Sequence, residues 1–204
     1  MVERVAWVDA PTGASGDLLL GALVDAGVPI GVMAEAIEKV ATGGRLHEER
    51  VRGDGASATG CRVDVDDAAE YRTWRDVEAL LGGAGLHEDV RSLAHDVFAR
   101  LAEAEGSVRG LPAEDVDLHD VASPQAIAEV VGVCAGVVHL GARLLVVSPG
   151  PSALELSTPI GSALLSTLAD DWGRQPAMAV SAVGVGSVWG DPEGHRLRLS
   201  VGEG

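Results

Sequence analysis

The spacing of hydrophobic and polar positions changes repeatedly along the chain, and each change predicts an element. Val2–Asp9 is almost continuously apolar and reads as a strand buried on both faces. From Asp17 to Ala26 the spacing becomes helical, with Leu18, Leu19, Ala22, Leu23 and Ala26 on one face and Gly27 as the stop. A second helix starts at Pro29 and runs to Val40. Arg45–Arg52 and Ser57–Asp66 then flank the tetrapeptide GDGA, and the second run alternates through Cys61, Val63 and Val65. That pattern predicts a β-hairpin turning near Asp54-Gly55.

Further along, Thr73 and Asp76 have the spacing of a capping pair before a short helix to Leu81. The clearest amphipathic stripe follows over Glu88–Val108, carried by Val90, Leu93, Ala94, Val97, Phe98, Leu101 and Val108. Ser123-Pro124 and Thr158-Pro159 each set a capping hydroxyl before a proline at the first helical position. The first opens a helix to Leu140 that is apolar nearly all round and is therefore expected to be central. The second opens a helix that ends before Gly173. Leu144–Ser148 reads as a short buried strand, Pro149-Gly150-Pro151-Ser152 as a break, and Met178–Val188 with His195–Val201 as a closing hairpin across the turn formers of 189–194. Hairpins mixed with strand-to-helix steps predict an α+β (mixed α/β) fold. The order is strand-loop-helix, hairpin, helical middle, closing hairpin, with a main domain over 1–150 and a smaller part over 151–204 packed on it.

Charge and composition narrow the function. The 31 acidic against 15 basic side chains give a formal net charge of −16, a field that repels nucleic-acid phosphates and anionic lipid, so neither partner is expected. No apolar run reaches the roughly 20 residues needed to span a bilayer, and MVERVAW lacks the basic and apolar blocks of a signal peptide. A soluble, cytoplasmic chain is the expectation. Cys61 and Cys134 lack the close spacing of a thiolate metal site and are expected as buried small hydrophobes.

The segment VDAPTGASGDLLLGAL, residues 8–23, carries most of the candidate chemistry. Gly13 and Gly16 let the backbone approach a ligand, and Ser15 and Asp17 supply oxygen atoms where a helix begins. Helix starts of this kind bind phosphate, but a Walker loop would have lysine after the second glycine, whereas here Asp17 stands there. A carboxylate suits a divalent cation such as magnesium or manganese, with Asp9 at the strand end as a second ligand. The same two residues also suit dipole and turn capping, and spacing does not separate these roles. His119-Asp120, after the acidic Glu114, Asp115 and Asp117, could hold a transition metal, although such pairs are common on solvated turns. Glu129, inside an apolar helix, needs a partner: either this site or an arginine. No Ser-His-Asp hydrolase pattern is supported.

Together these segments resemble the LarC-type nickel insertion family. VDAPTGASGDLLLGALVDAG is similar to its opening signature, with Asp9, Gly13, Ser15, Gly16, Asp17 and Gly21 in place. GASATGCRVDV, WRDVEALL, VFARLAEAEGSVRG, DLHDVASPQAIAEVVG, ELSTPIGSALLSTLA and AVGVGS resemble later stretches in order. The departures are specific. His119-Asp120 stands where the family has His-Glu, Gln125 where it has aspartate, and Tyr71 where a histidine is usual. Between Ser148 and Glu155 an Ala-His-Gly motif has no counterpart, nor has the family's separate C-terminal region linked to cytidine triphosphate use.

The resemblance implies nickel as the metal and insertion into a pyridinium bis-thiocarboxylic acid mononucleotide, a lyase-type chelatase in cofactor biosynthesis. On that reading Asp17, His119 and Asp120 serve the chemistry; Gly13, Ser15, Gly16 and Thr158 hold the phosphorylated ligand; and Asp9, Asp17, His119 and Asp120 are the metal ligands. A homo-oligomer or a separately encoded nucleotide-binding partner would complete it. The departures support two other readings: a repurposed, metal-independent cyclase or isomerase of secondary metabolism, and a noncatalytic partner subunit.

Overall fold

The computed structural model describes residues 3–53, 56–65, 73–118, 121–149, 157–191 and 194–204. In chain order the elements are β1 (Arg4–Asp9), α1 (Gly16–Asp25), α2 (Ile30–Val40), β2 (Arg45–Gly53), β3 (Ala56–Asp64), α3 (Trp74–Gly83), α4 (Glu88–Arg109), a single 3-10 turn (Ala113–Asp115), α5 (Pro124–Leu140), β4 (Leu144–Val147), α6 (Pro159–Leu168), β5 (Asp171–Trp172), β6 (Ala179–Ser187) and β7 (Arg196–Glu203). The mixed α/β class is as expected. The hairpin turn expected at Asp54-Gly55 lies outside the described residues.

The strands form one sheet in the order β2-β3-β6-β7-β1-β4-β5. β1 runs parallel to β4 and β4 to β5, while β7 is antiparallel to both β1 and β6. Segment 151–204 therefore supplies three strands to the common sheet, and β6 and β7 lie in its interior, joining the β2–β3 hairpin to β1. β5 has only two residues and no alternating pattern, so the sequence does not announce it.

Alternation along β1 sends Ala6, Val8 and Ala10 into the main core, on the side of the helices. Val5, Trp7 and Asp9 point to the opposite face. There the chain between β5 and β6 crosses the sheet: Trp7 Nε1 donates to the Gly173 carbonyl at 3.1 Å, and Gly173 lies on Val146.

The helix starts follow the sequence. Thr73 and Asp76 form a reciprocal capping box on α3; Ser123 Oγ accepts from the Ala126 amide at 3.2 Å, and Thr158 Oγ1 from Gly161 at 3.0 Å. α5 is buried nearly all round, packed on α1, α2 and α4. The α4 stripe ends earlier than its sequence pattern. Val108 is 85% exposed, because the chain folds back over Gly106 instead, whose Cα faces the Leu111 carbonyl.

α1 is enclosed more completely than one apolar face requires. Every residue from Leu18 to Leu23 is buried, because the helix is held between the sheet and α5. Glycines set this spacing. A Cβ at Gly186 would collide with the Leu18 carbonyl, one at Gly184 with the Ala22 carbonyl, and one at Gly21 with the Thr59 carbonyl of β3. Asp25 then secures the far end of the helix. Its carboxylate accepts from the Val185 amide at 2.8 Å, from Thr59 Oγ1 at 3.0 Å and from Arg50 Nη1.

Two stability effects follow. Gly186→Ala should lift α1 from β6 and cost about 2 kcal/mol or more, since the obstacle is backbone, whereas Gly31→Ala, which meets nothing within 4 Å, should be neutral or stabilising by less than about 1 kcal/mol. Asp25→Ala leaves the Val185 amide and the Thr59 hydroxyl without their acceptor and should cost about 2–3 kcal/mol. Denaturant unfolding of the three variants checks both, and equal midpoints for Gly186→Ala and Gly31→Ala would contradict the first.

Candidate functional site

The C-terminal ends of the parallel neighbours β1 and β4 lie side by side, so the loops leaving them meet. This is the position at which open α/β sheets bind ligands. The β1–α1 loop is fastened to the segment after β4 by three hydrogen bonds. The Ala10 amide donates to Ser148 Oγ at 3.1 Å, the Ala14 amide to Ser157 Oγ at 2.7 Å, and the Thr158 amide to the Ala14 carbonyl at 3.0 Å. Gly161 completes the seam, since a Cβ there would strike the Ala14 carbonyl. The first turns of α1 and α6 are thus held against each other.

Gly13 and Gly16 contribute differently. Gly13 has φ +88, a conformation that a side chain rarely adopts. Gly16 has ordinary helical geometry and is needed for space: a Cβ there would lie 2.7 Å from Glu129 Oε2. Ser15 occupies the N-cap position of α1, but its hydroxyl makes no capping bond and donates instead to Asp17 Oδ1. Among the described residues no side chain caps the first turn of α1, whose amides stand at the positive end of the helix dipole.

Glu129, one and a half turns into α5, packs beside the first turn of α1; His119 and Asp120, the site offered for it in the sequence, lie outside the described residues. It lies against Gly16, near Asp17, and among the described residues has no arginine partner; its Oε1 accepts from Gln125 Nε2 at 3.0 Å. Burial holds its carboxyl above the ordinary glutamate value of 4.5; the Gln125 hydrogen bond opposes this, and the charge of Asp17 adds to it. Glu129, which the sequence left without an assigned role, and Gln125 therefore border the first turn of α1. Their signal is the i, i+4 spacing of two polar side chains on an otherwise apolar helix.

Asp9 is not brought together with Asp17. It projects from the opposite face of the sheet, where its Oδ2 accepts from Arg198 Nη2 at 3.2 Å, and that guanidinium stands 5.3 Å from the Trp7 ring centre. Period-two alternation is the reason: a residue at the end of β1 in phase with Trp7 cannot share a side with α1. Gly13, Ser15, Gly16 and Asp17 are neighbours in the β1–α1 loop and the first turn of α1, and Thr158 adjoins them through its amide's bond to the Ala14 carbonyl. His119 and Asp120 lie outside the described residues, and among the described residues no three His, Cys, Asp or Glu side chains gather as a metal site. Cys61 and Cys134 are buried free thiols; burial pushes Cys61 up to about 12 and Cys134 higher still, so neither supplies a thiolate.

The shifted carboxyl of Glu129 gives a pH dependence. Because its folded-state pKa is raised, the stability it contributes is complete below 4.5 and is lost as pH rises through the raised value. Glu129→Gln removes that loss. The variant's denaturation midpoint should match the parent's near pH ~4 and exceed it near pH ~7; a difference that stays flat with pH would contradict the shift.

The family model for the nickel insertion protein matches residues 6–153 and 144–203 of this chain. The chain is 47% identical to the pyridinium-3,5-bisthiocarboxylic acid mononucleotide nickel insertion protein of a Nocardioides species, over 97% of this chain and 59% of that protein. Relatives from Thermomicrobium roseum (38% identical, 98% of this chain, 58% of theirs) and Syntrophobacter fumaroxidans (32%, 98% and 61%) carry nickel insertion in their provisional names. The chain thus spans about three fifths of the length of the curated relatives it matches. No solved structure shows a significant match. The two matched segments overlap over residues 144–153. Among the described residues no helix is long and apolar enough to cross a membrane. With a family model that covers nearly its whole length, the chain belongs to the nickel insertion protein family.

Proposed function

We propose that this chain holds a phosphorylated pyridinium ligand for nickel insertion, with nickel as the cargo of the reaction. The reading rests on one observation: the first turn of α1, which no side chain caps among the described residues, is fixed against α6 at the ends of β1 and β4. Free first-turn amides and the helix dipole suit a phosphate monoester, and the loop around Gly13, Ser15 and Gly16 lets it come close. Thr158, at the start of α6, borders the same place. The ligand's own thiocarboxylates are the soft donors that nickel favours, which explains why the buried cysteines can remain inert.

On this reading the protein binds and orients the ligand, and His119 and Asp120 hand over the metal. Asp17 belongs to the ligand side of the site, while Asp9 is a structural residue paired with Arg198. Magnesium or manganese could assist by bridging Asp17 to the phosphate. A homo-oligomer or a separately encoded nucleotide-binding protein is the partner expected on this reading.

Calorimetric titration tests the proposal. With the pyridinium bis-thiocarboxylic acid mononucleotide bound, nickel should give saturable heat, and His119→Ala should weaken nickel binding without weakening that of the ligand. Heat indistinguishable from buffer, with and without the ligand, would overturn it.

A further inference from the structure

β6 lies inside the sheet, yet half of one edge is free. Its ladder with β3 covers only Gly186 and Ser187, opposite Thr59 and Gly60. At the fork the Asp25 carboxylate takes the Val185 amide at 2.8 Å, and N-terminal to that point, among the described residues, no strand pairs with Ala179–Val183 on the β3 side. This half of the strand is open to solvent, with Val180 and Val183 each 47% exposed. Free strand edges invite pairing with another chain, and proteins guard them with charge or proline. β2, the outer strand of the sheet, is guarded by Arg45, Glu48, Glu49, Arg50 and Arg52. The β6 edge has no such guard: no residue from Gln175 to Gly190 is charged, and the one proline there, Pro176, precedes the strand.

The edge is also complementary to itself. Val180 lies opposite Gly202 and Val183 opposite Ser200, which alternate with the core residues Leu199 and Val201, so both valines point to the face away from the helices. The bulge between Val180 and Ala182 is what puts residues three apart on one side. In an antiparallel pair about a two-fold axis between Ser181 and Ala182, Val180 of each copy stands opposite the partner's Val183, and bulge meets bulge. Four valines then form one apolar cluster beside the new ladder. Two chains each with a net charge of −16 repel, and this uncharged edge lets them meet without setting carboxylate against carboxylate.

We propose that the chain pairs with a second copy of itself through the Ala179–Val183 edge, antiparallel, joining two sheets into one. This is the surface of the homo-oligomer expected for the proposed function, and it requires neither nickel nor the pyridinium ligand.

Sedimentation velocity over a concentration series, without metal or ligand, should show a monomer–dimer equilibrium. Val180→Glu combined with Val183→Glu sets like charges opposite each other and should weaken the dimer by at least about tenfold, while Val108→Glu, at another exposed valine, should leave it intact. Cysteine pairing reads the register. A mixture of Val180→Cys and Val183→Cys proteins should form a covalent dimer on oxidation far more readily than either variant alone, since the native thiols are buried. A parent protein that stays monomeric, a dimer that the two glutamates leave unchanged, or cross-linking without preference for the mixture overturns the proposal. If the glutamate variant does not fold, the milder cysteine variants decide.

Discussion

The close approach of α1 to the sheet is the constraint on which the rest of the structure depends. Gly184 and Gly186 lie two residues apart on β6 and so share the face beneath the helix, where Leu18 and Ala22 carbonyls occupy the volume of the missing side chains. Gly21 does the same from the helix towards β3. An aliphatic layer would hold the helix several ångströms further out, as is usual for packed layers. At the observed depth α1 is covered on its other side by α5, and its first turn stands level with the strand ends. The Gly161–Ala14 contact repeats the arrangement for α6. The site thus inherits its geometry from backbone contacts, which have little freedom to relax.

The electrostatics of α1 follow from that burial. A helix sealed in a core cannot leave its ends to water, so each end carries a carboxylate with a different task. Asp25 stands at the negative end, unfavourable for an acid, and is stable only because an amide, a hydroxyl and a guanidinium converge on it. Asp17 stands at the positive end, where its charge is favourable, and Ser15 bonds to it instead of capping the turn. One end is closed by protein donors; at the other, among the described residues, no side chain caps the amides.

Much of the fold is legible in the sequence because its signals are local. Thr73 with Asp76, Ser123-Pro124 and Thr158-Pro159 are chemical statements about single helix starts, and the structure has all three. The strand order is not local: nothing in residues 196–203 says that β7 lies between β6 and β1. The same limit governs the site. Gly13, Ser15, Gly16 and Asp17 are neighbours in the chain and can be recognised together. Glu129 reaches them only through the packing of α5 on α1, and Asp9 departs from them because one step of strand alternation turns it to the far face. Asp25 could have been noticed, as an acid at the wrong end of a buried helix, but its partners on β2, β3 and β6 are distant in sequence.

The central claim is that the first turn of α1 is where the ligand is held. Amide nuclear magnetic resonance of the labelled protein, titrated with the pyridinium mononucleotide, tests it most directly. The Gly16, Asp17 and Leu18 amide signals should shift most, together with those of Thr158 and Gly161. Shifts confined to the opposite face of the sheet, around Trp7, Asp9 and Arg198, with the α1 amides unmoved, would contradict the account.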